Sequence, residues 1–134
     1  MAVTLDDVAA MALELPEVTE GESRGKRTWN VGGKMFAWER PLTKADIKRL
    51  GEDPVPEGEL VAVRVEDLHE KEAVLAEELP GFFTISHFDG YASVLIQLKV
   101  VHKRALRKAL VDAWLAVAPD RLADPFLASK RRRR

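Results

Sequence analysis

The residues best suited to move protons or hold a metal are three histidines, His69, His87 and His102, and they are scattered along the chain. No HxxxH or HExxH spacing sets two imidazoles on one helix face, so a zinc site built from neighbouring ligands has no support. Ser86-His87 is an adjacent pair and not a triad, because neighbouring strand residues point to opposite faces. His87, read on a strand and followed by Phe88, is expected as a hydrogen-bonded structural histidine. Glu17, Glu20 and Glu22 form an acidic stretch that could hold paired carboxylates, but a loop holds them at no fixed separation. Gly32-Gly33 has neither the lysine and hydroxyl of a P-loop nor the dinucleotide fingerprint, and reads as a turn. There is no cysteine, which excludes disulfides, iron–sulfur clusters and thiol nucleophiles. The expectation is a protein that is not an enzyme and needs no cofactor or metal.

Cations offer a different chemistry. The net charge is −1, but it is unevenly spread: from Lys99 onward eleven Lys and Arg face three Asp, a net of +8, while the first 98 residues carry a net of −9. Such asymmetry can mark an anionic partner. Lysine and arginine neutralise phosphates and release counterions, which gives salt-dependent binding with little sequence preference. The candidate nucleic-acid-binding residues are Lys26, Arg27, Lys34, Lys99, Lys103, Arg104, Arg107, Lys108 and Arg131. The plainer reading of the helical ones is a solvated charged face, and of Lys130 to Arg134 a tail without a specific role. Lys26, Arg27, Lys34 and Arg40 also surround Trp29, Phe36 and Trp38, and basic residues interleaved with aromatics suit a nucleic acid. Strand aromatics usually fill the core, however. Phe36 and Trp38 are assigned there, with Trp29 the more exposed.

These side chains must be positioned by regular elements. Residues 4–15 read as a helix with Thr4 as cap and Asp7 three residues on; Pro16 ends it, and residues 18–25 read as a loop. RTWNVGGKMFAWER is a hairpin about Gly32-Gly33, which supply the positive φ that a two-residue turn demands. Thr43 to Leu50 reads as a short helix inside an insertion that runs to Glu59. LVAVRVE, 60–66, is a strand, and Asp67 caps a helix to Leu79 with Leu68, Ala73, Val74 and Leu75 inward. FFTISHF and YASVLIQLKVV flank Asp89-Gly90 as a second hairpin, and residues 102–117 form an amphipathic helix. Residues beyond Pro119 read as a loose tail. The order predicts an α+β fold: an antiparallel sheet of about five strands with helices packed on one face.

At 134 residues the chain suits a single domain, assigned to residues 1–128 with a basic tail at 129–134. With 46% hydrophobic and 32% charged residues it can bury a core of its own. The N-terminus lacks the pattern of a signal peptide, and no run nears the ~20 apolar residues that span a bilayer. The cytoplasm is the expected location, and nothing in the chain specifies an oligomeric state.

Four short motifs carry a resemblance. Gly33-Lys34-Met35-Phe36-Ala37 after a glycine turn, Leu79-Pro80-Gly81 closing a helix, Ser86-His87-Phe88, and Asp112-Ala113-Trp114 in the last long helix occur in that order. Together they resemble the MmcQ/YjbR family of small bacterial proteins, from about Leu5 to Pro119. The resemblance implies a fold similar to bacterial frataxin (CyaY-like) and a DNA-binding role. Members often carry a tryptophan a few residues after the histidine; here Ala92 and Ser93 stand there, preceded by Tyr91, and the insertion at 43–59 is longer. Frataxins bind iron through acidic residues of the first helix, where this chain offers only Asp6, Asp7 and Glu14, so iron binding is not carried over. DNA is therefore the expected partner. The alternative is a protein-interaction or small-ligand module using the sheet face, which the net −9 of the first 98 residues favours.

Overall fold

The computed structural model describes residues 2–132. Thr4 starts the first helix, α1 (Leu5–Leu13), through a reciprocal capping box with Asp7. The stretch read as a loop is a strand, β1 (Thr19–Ser23), joined to β2 (Lys26–Val31) by a two-residue turn. Arg24 and Gly25 both take positive φ there, so the signal was a turn in which arginine stands where glycine or asparagine is usual. Gly32-Gly33 turns β2 into β3 (Lys34–Glu39) as the sequence predicts, again with φ positive at both residues. Thr43 and Asp46 form a second capping box on α2 (Lys44–Leu50). Then follow β4 (Leu60–Arg64) and α3 (Leu68–Ala76), the latter capped by Asp67.

The second hairpin departs from the reading. β5 is only Phe82–Phe83 and β6 is Ser93–Gln97, and between them a single 3-10 turn, Ser86–Phe88, interrupts a nine-residue connection. His87 is consequently not on a strand. Gly81, just before β5, must lack a side chain: a Cβ there would stand 2.8 Å from the Gln97 carbonyl oxygen. α4 (Lys103–Val117) agrees with the amphipathic pattern, but the expected loose tail is a helix, α5 (Asp120–Arg132), with Pro125 inside it. Phe126 packs its ring 5.0 Å from that of Trp114, and Ala123 is buried. An apolar stripe that short and interrupted by proline is hard to distinguish from a tail.

The six strands form one antiparallel sheet in the order β1-β2-β3-β4-β6-β5. Alternation along the strands gives it two faces. Trp29, Ala37, Val63 and Val94 form a cross-strand row on one face, in the main core beneath α1 and α4. Trp38, Ala62 and Leu95 form the row on the other, where Leu42, Ile85 and Phe88 cover them as a smaller cluster. Phe36 would share the second face with Trp38 were the strand regular. A bulge prevents it: Trp29 pairs with Ala37 and Asn30 with Met35, leaving Phe36 as the extra residue, fully buried in the main core. The bulge also reverses the expectation for the tryptophans. Trp29 is fully buried, its indole N–H donating to Glu20 at 3.0 Å, whereas Trp38 is the half-buried one.

Candidate nucleic-acid interface

The candidate cations do not converge. α4 packs on the helix-covered side of the sheet, so Lys103, Arg104, Arg107 and Lys108 decorate the outer helical layer. Arg107 bonds Glu14 at 2.8 Å and Lys108 bonds Asp112 at 2.7 Å. The Asp112 hydrogen bond, with Glu77 and Glu70 nearby, raises the Lys108 pKa although partial burial opposes it. Lys99 meets Glu57 at 2.8 Å, and Arg27 is clamped between Glu20 and Asp6, both at 2.9 Å, with its guanidinium over the Trp29 ring. Lys34 is exposed at the Gly32-Gly33 end of the first hairpin. Arg131 falls in the last turn of α5 with its side chain outside the described residues, as are residues 133 and 134 of the tail. Among the described residues, Lys26, Lys34, Lys103 and Arg104 are the candidates without an ion pair, and they sit on different sides of the sheet.

A second set of cations does converge, on the far face. Strand alternation sends Lys26, Arg64 and Arg40, which follows the end of β3, to that face while Glu20 and Glu22 of β1 point to the other, so positive charges outnumber carboxylates there. Two adjoining clefts result. One, of about 360 Å³, is lined by Trp38, Arg40, Arg64, His87, Phe88 and Tyr91. The other, about 490 Å³, shares Arg40 and His87 and adds Arg24, Lys26 and Arg49, with Glu39 and Asp46 as its acids. Arg64 is exposed and has no ion pair among the described residues.

Two buried groups hold this arrangement. The Asp46 side chain is 1% exposed and bridges Arg40 at 3.0 Å and Arg49 at 3.8 Å. Burial pushes its pKa up, but the Thr43 backbone N–H and the Arg40 guanidinium outweigh that and hold it below the usual carboxylate value. A single carboxylate thus orients two guanidiniums and leaves a positive excess. Arg40 also lies over the Phe88 ring at 5.5 Å. The second group is Lys71, the one buried residue of α3, where leucine and valine were expected inward. Its Nζ donates to the Phe88 carbonyl at 2.6 Å and the Tyr91 carbonyl at 2.9 Å. Burial lowers its pKa, with the charge of Asp89 opposing. Lys71 therefore pins the connection that carries His87 and Tyr91 over the sheet.

Replacing Lys71 by methionine tests that role. The variant keeps the stem but strips the donor from two carbonyls, one of them buried, at a cost of about 1–3 kcal/mol. Urea denaturation should show the loss. An unchanged midpoint would mean that the connection holds itself.

Sequence reasoning named Lys26 and noticed Arg40 and Trp38 beside it, but missed Arg64, Arg24, Arg49, His87 and Tyr91 as a group. The available signal was the parity of LVAVR: Val61 and Val63 face the core, so Arg64 must share a face with Ala62.

No described helix is long and apolar enough to cross a membrane. A family model described as YjbR matches residues 13–116. Uncharacterised proteins of Mycobacterium bovis (Mb2600) and Mycobacterium tuberculosis (Rv2570) are each 43% identical over 129 residues, covering 94% of this chain and 97% of their own. No solved structure matches. With the model spanning most of the domain and relatives similar almost end to end, the chain belongs to the YjbR family.

Proposed function

We propose that this protein binds nucleic acid, and that it does so through the cationic far face of the sheet, not through α4. What supports the reading is one arrangement: two adjoining clefts that share Arg40 and His87 and gather Arg24, Lys26, Arg49 and Arg64 around aromatic side chains. Glu20, which pairs with Arg27 of β2, is directed away from this face by strand parity, and Glu14 and Asp112, which pair with α4, belong to the helical layer on the other side of the sheet. A polyanion approaching it meets a positive surface even though the whole chain is slightly negative.

The test is the anisotropy of a labelled oligonucleotide titrated with protein over a range of salt. Binding at low salt should fall with a slope of roughly −2 to −4 in log K against log salt, as expected for a few phosphate contacts. A titration flat at the lowest salt removes the reading. A small-ligand module on the same face is the second reading, favoured by the concavity of the 360 Å³ cleft, which lies in the range of ligand sites. It predicts that a compact anion such as pyrophosphate binds while oligonucleotides do not.

A further inference from the structure

Resting on the nucleic-acid reading, we propose that the 360 Å³ cleft receives an unpaired base, so that the ligand is single-stranded nucleic acid and not duplex. The lining combines two chemistries. Trp38, half-buried, and Tyr91, 63% exposed, both line the cleft. A half-covered indole and an exposed phenol lining one cleft offer ring surface to a flat group entering from solvent. Arg40, Arg64 and exposed His87 surround those rings, where a phosphate attached to that flat group would lie.

Duplex DNA fits this badly. Its bases are stacked and paired, so only their edges are open, and the structures that read those edges are helices or ribbons narrow enough to enter a groove. Here the aromatic surface is recessed, flanked by the 84–92 connection, which itself contacts α2. A base can reach Trp38 only if it is already out of a stack. The cations also extend past the first cleft, through Arg40 and His87 to Arg24, Lys26 and Arg49. One phosphate needs fewer; a strand carrying several can use them all.

The tryptophans make the test specific. Trp29 and Trp114 are both 0% exposed, so of the three indoles only Trp38 is open to a ligand. Emission quenching by an unlabelled strand therefore reports on the cleft. The probes are an oligothymidylate of about twelve nucleotides, within the usual site sizes, its duplex with oligoadenylate, an abasic strand of equal length, and thymidine monophosphate. The expected result is quenching by the oligothymidylate, with affinity on the order of tenfold above duplex and abasic strand, the worth of one stacked base. Tyr91→Ala, a change at an exposed side chain, should weaken the oligothymidylate severalfold and leave the abasic strand unchanged. Trp38→Phe should remove the quenching while keeping the fold, checked by circular dichroism. The proposal is overturned if duplex or abasic strand binds as tightly, if Tyr91→Ala changes nothing, or if the mononucleotide matches the strand. Should all the nucleic-acid probes fail to bind even at low salt, the broader reading falls with it; tight duplex binding removes this inference alone.

Discussion

Reversing Lys26 and Arg64 to glutamate together should reduce oligonucleotide affinity by roughly two orders of magnitude and flatten the salt dependence by about two phosphate contacts. Reversing Lys103 and Arg104 instead should change affinity by no more than about threefold, because charges on the helix-covered side of the sheet lie beyond the ~8–10 Å reach of a screened field. Each pair carries the same change of charge, so a purely global electrostatic effect predicts equal losses. Local contact predicts a large difference. Lys26 and Arg64 are exposed strand residues without ion pairs among the described residues, so neither reversal strips a partner from a buried acid. Equal losses for the two pairs would mean that the groove has no special role, and a larger loss on α4 would return the interface to the helix.

The largest effect on stability is expected at Trp114. Its side chain is fully buried among α1, α4 and α5, its indole N–H donates to the Pro16 carbonyl at 3.1 Å, and its ring meets Phe126. Trp114→Ala removes the packing, leaves a cavity and strands a carbonyl, for about 3–5 kcal/mol. Against a typical stability of ~5–15 kcal/mol this approaches unfolding. Trp114→Phe keeps most of the ring contact and should cost less than half as much. Urea denaturation of the two variants measures both figures. A loss below about 1 kcal/mol for the alanine variant would contradict the packing role given to α5.

Most of the fold was legible because its signals were local. Capping pairs Thr4–Asp7 and Thr43–Asp46, the Gly32-Gly33 turn and the alternation of LVAVR each act over a few residues, and each stands where the sequence puts it. β1 was not legible, since TEGES has no hydrophobic period: it is an exposed edge strand held by its ladder to β2. The Asp89-Gly90 turn reads as a hairpin because apolar residues run on both sides. Ile85 and Phe88 are apolar for another reason, which is to cover Ala62 and Leu95 from a 3-10 turn.

The interface was legible only in part. Along the chain the cations are densest in α4 and the tail. Density in sequence says nothing about neighbours in space, and Glu14, Glu57 and Asp112 neutralise Arg107, Lys99 and Lys108. The far-face cations come singly from the β1–β2 turn, β2, the end of β3, β4 and α2, and only strand parity, pairing and the Asp46 ion pairs bring them together. The bulge that takes Phe36 into the core, leaving Trp38 on the cleft, follows from no local pattern at all.

The central claim is the location of the binding surface, and amide chemical-shift mapping of the labelled protein with a short oligonucleotide tests it most directly. Perturbations should cluster at Lys26, Arg40, Arg64, His87 and Tyr91 and spare Lys103 to Asp112. A footprint along α4, or one spread evenly over both sides of the sheet, would contradict it.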